Sequence, residues 1–450
     1  MIKKIIYIID KIFQQIKDLA PSYKLIKHNN IFLKSKSWNN GEILLELNQI
    51  KTSYIPYSYV SSILCNIYNS KVIGFNINKY GVNNYFLFFI KKLIFNEFKI
   101  YKSFGVSSFI FFKRKKFNKK ALKLYDEIYK KVNNLEDLEK LTIYGVKIGD
   151  LIYDSYLRKN INSSPDLDSN DFKIFFKNSI FTFFNFWEYF NNHQVKAVIV
   201  SHCVYMTALP LRIALEKNIA AFQVTKEKIC KVNKNNPHGY AEFRYYRNTF
   251  KEFTEDKKIE AKKLSKERIE KRFKGEVGID MSYSNKSAFG PNTKNRLIKK
   301  SKNIKILIAS HCFFDSPHSY GDFLFTDFNQ WLKFLGDLSE VTNYDWYIKT
   351  HPDFILETRK RIKHFCKKYK KFNLLPAESS HHQIIKEGID FALTVYGTNG
   401  TFQQALGRRL LRTQTKHSRR LQVTTLLLSG ISHILSKVRL LQSARIQTSS

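Results

Sequence analysis

Short apolar runs that stop abruptly at polar residues give this chain its organisation. Lys196 to Val200 (KAVIV) is a β-branched stretch of strand length; Ser201 and His202 then turn into a helix through Leu215, and AAFQV supplies the next apolar run. Strand, crossover helix and strand in that order predict a βαβ unit of a parallel sheet. Lys71 to Ile77 is an earlier strand candidate, and Leu141 to Arg158 reads as a turn and helix in which Gly145 and Gly149 permit close backbone approach. From Ile304 the alternation resumes: NIKILIAS as strand, a polar loop, a helix through Leu338, DWYIK as strand, a helix opened by Ser379 and Ser380, and FALTV as strand. The pattern predicts an α/β fold.

Between the two alternating regions lies a charged helix, EDKKIEAKKLSKERIEKRFK, followed by the irregular GEVGIDMSYSNKSAFGPNTKN. Opposite charges three or four residues apart suit a solvated helix. The expected organisation is an N-terminal α/β domain over residues 1–250, a connection over 251–302, a second α/β domain over 303–407 and an atypical tail over 408–450. Ser-His-Cys closes an apolar strand twice, at Ser201–Cys203 and Ser310–Cys312, a weak echo between the halves.

The 450 residues are 43% hydrophobic and 15% aromatic, which excludes a disordered chain. The formal net charge of +38 has two compatible sources. Lys, Asn, Ile, Phe and Tyr rise together as AT-rich coding would produce; a partner carrying negative charge, such as anionic lipid or a nucleotide diphosphate, would also suit it. The lysines are dispersed and no recognised nucleic-acid module is present, which argues against nucleic acid. Cys65, Cys203, Cys230, Cys312 and Cys366 show no metal-ligand spacing, so a reduced, cytoplasmic protein is expected. Met1 to Ile16 reads as an amphipathic helix, and the apolar Asn84 to Phe98 is interrupted by Lys91 and Lys92 well short of a bilayer span.

Ligands of open α/β sheets bind beyond the carboxyl ends of strands, so the polar residues there carry the candidate chemistry. They are Ser201 and His202 after KAVIV; Ser310, His311, Asp315 and His318 after ILIA; Lys349, His351 and Asp353 after DWYI; and Tyr396, Gly397, Thr398 and Gly400 after FALTV. Pro352 forces His351 toward extended backbone, so the strand ends with its imidazole in the loop, where it and Lys349 would support a leaving phosphate. Ser379 and Ser380 read as helix N-caps, and a helix N-terminus also favours an anion. His381 and His382 are expected to face solvent, since no third ligand suits a metal site. His311 and Asp315 are candidates for a general base, with Asp150 and Asp154 as further carboxylates in the first half.

The stretches IASHCFFDSPHSYGD, FTDFNQWLKFLGDLSEVTNYDWYIKTHPD, LLPAESSHHQIIKEGIDFALTVYGTNG and GVKIGDLIYDSYLR together resemble bacterial capsular and surface polysaccharide biosynthesis proteins, GT-B-type glycosyltransferases related to capsule Kdo transferases. The resemblance covers roughly Leu141 to Gly400. It implies two Rossmann-like domains with parallel sheets facing across a cleft. It also implies a nucleotide-sugar co-substrate rather than a cofactor, no essential metal, and a glycan or lipid-linked acceptor, with peripheral contact to an anionic membrane. By position, Lys349 and His351 match the family's His-Pro motif at the donor phosphate, Ser379 and Ser380 its Ser motif, and Gly397, Thr398 and Gly400 its Gly-Thr turn. His202, Asp150 and Asp154 fall on the acceptor side.

The family pattern fails after that turn. Phe402 stands where a glutamate is expected, and the 43 residues after Gly407 contain no Asp, Glu, Asn, Phe, Tyr or Trp but hold seven of the 17 arginines. A reading-frame slip near Phe402 to Gly407 explains the change, because RTQTKHS shifted by one base can read Ala-Arg-Lys-Gln-Asn-Thr-Pro. The other reading is a genuine basic amphipathic tail, with apolar residues at helical spacing from Leu426 to Val438.

Overall fold

The computed structural model describes residues 19–33, 40–48, 51–76, 97–110, 119–225, 228–239, 246–279, 284–319, 325–394 and 409–412. Met1 to Ile16, most of Asn84 to Phe98, the Gly397, Thr398 and Gly400 turn, and the tail beyond residue 412 lie outside them. The α/β class with parallel sheets is what the structure shows. Two compact units divide the chain: Met1–Lys159 with Pro165–Glu242, and Asn160–Ser164 with Phe243–Ser450.

The first unit is built on β1 (Glu42–Glu46), β2 (Lys71–Phe75), β3 (Val106–Ile110), β6 (Val195–Val200), β7 (Ala220–Val224) and β8 (Ile229–Val232), with β4 (Thr142–Ile143) and β5 (Val146–Lys147) forming a small separate hairpin. Its strand order is β3-β2-β1-β6-β7-β8, parallel except for β8 against β7. The chain winds outward from β1 to β3, then returns to the other side of β1, so the order reverses between β1 and β6. Both faces of such a sheet are covered, which is why its strands are apolar without alternation. Ile43 and Leu45 pack with Tyr54, Tyr57 and Ile100 on one face, and Leu44 packs into an aromatic cluster on the other.

That aromatic cluster is furnished by α1 (Gly149–Asn160), α2 (Asn170–Asn192) and α3 (Leu209–Glu216). Ser169 caps α2, accepting from the Phe172 amide at 3.2 Å. Phe172, Phe175, Phe176, Ile180 and Phe183 then recur three or four residues apart and are buried. Each such side chain contributes roughly 2–3 kcal/mol of hydrophobic stabilisation. The expected helix from His202 is shorter in the structure: Tyr205 has φ +59, a single 3-10 turn follows, and α3 starts at Leu209 with Pro210 in its first turn. At Gly149 a Cβ would lie 1.9 Å from the Leu138 carbonyl oxygen, so close approach does require glycine there.

The second unit carries α4 (Glu255–Phe273), β9 (Lys305–Ala309), α5 (Phe328–Glu340), β10 (Asp345–Lys349), α6 (Leu356–Lys368), β11 (Phe372–Leu374), α7 (His381–Lys386), β12 (Phe391–Thr394) and β13 (Arg409–Arg412). Strand order is β11-β10-β9-β12-β13, all parallel, with the reversal between β9 and β12. Trp346 and Ile348 enter one core layer, whereas Tyr347 enters the other with Ile384, Ile389 and Ala392. The stretch after the charged helix, read from sequence as a connection, is part of this unit: Ile298 is fully buried, and the Glu387 carboxylate accepts from the Leu297 and Ile298 amides at 2.7 Å each. The sheet also takes in Arg409–Arg412, just beyond the point where the composition changes. Among the described residues, no helix is long and apolar enough to cross a membrane.

Candidate functional site

Reversal of strand order opens a crevice at the carboxyl ends of the strands on either side of it; in the second unit these are β9 and β12, whose ends carry Ser310 and Thr394, with Lys349 at the end of the adjacent β10. The side-chain period of two puts Lys349 on the Tyr347 face of β10, the face covered by α7. Its backbone is fixed by Ser310, whose amide and hydroxyl donate to the Lys349 carbonyl at 3.0 and 3.2 Å. The side chain is only 2% exposed. Burial pushes its ammonium down to about 8, and the negative charge of Glu378 offsets this only in part. Among the described residues no carboxylate forms an ion pair with it.

His351 follows two residues later on an exposed loop position. The Asp353 amide donates to His351 Nδ1 at 3.1 Å, so Nδ1 is an acceptor and the ring proton sits on Nε2. Surrounding protein lowers the pKa of the imidazole; Asp353 opposes that shift, and the charges of Lys349, His311 and Arg272 add to it. His351 is therefore a neutral N–H donor. Asp353 itself serves the fold. Burial works against its charge, but hydrogen bonds from Ser284, Lys286 and Asn285 hold it below the usual carboxylate range and tie down the segment 284–286.

Ser379 and Ser380 are fully buried. The capping expected of them is not made: Ser380 occupies the N-cap position of α7 in extended backbone, but its side chain accepts no backbone N–H. Among the described residues neither hydroxyl has a hydrogen-bond partner, an arrangement that costs stability unless something else binds there. His381 and His382 also differ from the sequence reading. His381 is 6% exposed, and burial, followed by the charges of Lys349, His351 and His382, lowers its pKa well below that of an ordinary imidazole. His382 Nε2 donates to the Phe273 carbonyl at 2.7 Å. The reason is the segment 284–298, which lies over α7 and takes the His381 amide onto the Ala288 carbonyl.

His311, at the end of β9, stacks on Phe328 with centroids 5.5 Å apart, and its charge reaches His351. Asp315 is solvent-exposed in the following turn, and His318 is buried. Lys349, His351 and His381 lie within electrostatic reach of one another, and Ser379 and Ser380 directly precede His381, so one buried ammonium and several neutral donors suit an anion with several acceptor oxygens. Among the described residues no cluster of three His, Cys, Asp or Glu side chains is arranged to hold a metal ion.

In the first unit the candidates separate. Asp150 and Asp154 are each 2% exposed, and Asp150 is ion-paired with Arg212 in the interior. His202 is exposed at the end of β6, and its Nδ1 lies 2.8 Å from Ser201 Oγ. Sequence reasoning missed its most consequential neighbour, Glu46, which accepts from the Ser201 amide and hydroxyl at 2.7 and 2.9 Å. Glu46 ends β1 as Lys349 ends β10, so a charged residue closing EILLE was the available signal. No family model matches the chain, and it matches no curated protein.

Proposed function

We propose that the chain is a glycosyltransferase of surface polysaccharide biosynthesis, built from two Rossmann-like units of the GT-B type. It would take a sugar from a nucleotide-sugar donor to a glycan or lipid-linked acceptor. The observation that carries this reading is the buried Lys349, with no carboxylate ion pair among the described residues, at the carboxyl end of β10, one strand from the strand-order reversal between β9 and β12. A buried ammonium without a counter-ion is unfavourable until an anion arrives. The diphosphate of a nucleotide sugar supplies that charge, the His351 Nε2–H one donor, and the Ser379 and Ser380 hydroxyls two more. As the bond from sugar to phosphate breaks, negative charge grows on the phosphate oxygen. Donors already fixed by the fold stabilise it without reorganising.

The Gly397, Thr398 and Gly400 turn is assigned to the same phosphate by resemblance alone. Membrane association at the cytoplasmic face accounts for part of the positive charge. A second reading is favoured by the break in composition at Gly407: a frame-slipped, inactive copy of the same transferase. A screen of CMP-, UDP-, GDP- and CDP-linked donors by thermal shift, on this chain and on a frame-restored version, tests both. A saturable rise with one donor in both chains supports an active transferase; a rise confined to the restored chain supports the inactive copy. CDP-glycerol tests a glycerophosphate-type transfer. If no donor shifts either chain while DNA or RNA binds at physiological salt, the transferase reading fails.

A further inference from the structure

We propose that residues 287–292 are a gate over the Ser379–Ser380 pair, with Phe289 as its plug and Gly290 as its hinge. The inference rests on the anion-binding part of the transferase reading, and it names how access to that site is controlled.

Burial sets the problem. Ser379 and Ser380 are 0% exposed, yet among the described residues neither hydroxyl has a hydrogen-bond partner. Hydroxyls closed off in this way meet a ligand from solvent only if part of their covering moves aside. The segment 284–298 is the covering that reaches this end of α7. Its Ala288 carbonyl accepts from the His381 amide at 2.9 Å, one residue past Ser380. The buried Phe289 ring packs beside the His381 and His382 rings, with centroids 5.5 and 5.6 Å away, and 5.3 Å from Phe273 at the end of α4.

Both ends of this segment are pinned. At its start, Asp353 Oδ2 accepts from the Ser284 hydroxyl at 2.7 Å and from the Asn285 and Lys286 amides at 3.1 and 3.3 Å. At its far end, Gln383 Oε1 accepts from the Thr293 amide and hydroxyl at 2.7 and 3.1 Å, and Gln383 Nε2 donates to the Asn295 carbonyl at 2.9 Å. Glu387 then holds the Leu297 and Ile298 amides. The pins come from the two stretches that carry the site: Asp353 from the loop of His351, and Gln383 from α7, which Ser380 precedes. Residues 287–292 span the interval between them, and reach α7 through the His381–Ala288 bond and the Phe289 ring.

Gly290 and Pro291 follow the plug directly. Proline has no N–H, so no amide bond is lost there when the section lifts, and glycine offers the widest choice of backbone angles. The shut conformation does not need that freedom. A Cβ at Gly290 would meet only the Ser287 carbonyl oxygen, at 3.9 Å, an ordinary contact. The freedom of this glycine therefore serves the open state. Opening breaks the His381–Ala288 bond and brings the Phe289 ring into water, which keeps the empty site shut. It is a local opening between fixed ends and leaves the sheet intact.

A thiol placed in the site reports the gate without any ligand. In Ser379→Cys, labelling of that thiol by a small methanethiosulfonate reagent, read by mass spectrometry, should be slow. Adding Phe289→Ala should speed it by more than about tenfold. Adding Gly290→Ala, which fits the shut state and narrows the open one, should slow it by about two- to fivefold. Amide exchange of β10 reads opening of the whole unit and should be the same in all three chains. Equal labelling rates across the three overturn the proposal, as does a change in labelling matched by the same change at β10. Inorganic pyrophosphate probes the reading beneath it, and should slow labelling of Ser379→Cys in a saturable way. Labelling that follows the gate variants but ignores pyrophosphate defeats the anion-site reading and leaves the gate standing.

Discussion

Arg212 Nη2 lies 2.7 Å from Asp150 Oδ2 inside the first unit, and neither residue is more than 5% exposed. Two charges removed from water are tolerated because each neutralises the other, and removing one leaves the other's desolvation uncompensated. Arg212→Met should therefore cost about 3–5 kcal/mol, whereas Arg212→Met with Asp150→Leu should recover most of it. Urea unfolding of the three chains checks this. An acceptor-binding role for Asp150 would instead lower transfer while leaving stability unchanged.

Lys349 predicts a stability profile on the alkaline side. Below about pH 8 folded and unfolded chains both carry the ammonium, and the fold bears the cost of burying it. From about 8 to the ordinary 10.5 the folded chain has released a proton that the unfolded chain keeps, so stability rises with pH. Lys349→Met should abolish that rise, stabilise the protein at pH 7 by about 3 kcal/mol, and lose the donor-induced shift. Unfolding at pH 7 and pH 9.5 measures the first two effects. Equal profiles for the two chains would refute them.

His381 acts in the opposite pH range. Its folded pKa is depressed, so the imidazole is neutral in the native protein, and the unfolded chain gains a proton as pH falls below the ordinary 6.5. Stability should accordingly decline on acidification from that point, by up to about 1.4 kcal/mol per pH unit for this one group. His381→Gln should flatten the curve between pH 6.5 and 5. The melting temperature across that range is the measurement.

Ser379 and Ser380 separate two roles by the sign of a single number. A capping serine lost to alanine costs about 1 kcal/mol. A buried hydroxyl without a partner is a liability, and Ser379→Ala or Ser380→Ala should leave stability unchanged or raise it by roughly 1 kcal/mol. Both variants should weaken the donor-induced shift. Destabilisation with an unaltered donor response would return these residues to a purely structural role.

Much of this was legible before any fold was known. KAVIV, ILIA, DWYIK and FALT are strands because β-branched and aromatic runs of that length bury both faces of a parallel sheet, and the polar residues that end them mark carboxyl ends. Lys349 and His351 were readable for the same reason, since strand period and Pro352 are local facts. His381 was misread because its burial is caused by a segment nearly a hundred residues earlier, and a local polar pattern carries no trace of what covers it. The ion pair of Asp150 left no local trace either, because its counter-charge lies 62 residues away.

Strands, their chemistry-bearing ends and the alternation that makes the chain α/β were thus settled by neighbours within a few residues, and the amino-acid order was enough to read them. Which ends lie side by side was settled by the folded sheet alone. Glu46 and Ser201 are 155 residues apart in the chain and become neighbours because the strand order reverses between β1 and β6. Strand order depends on how crossovers wind over the whole sheet.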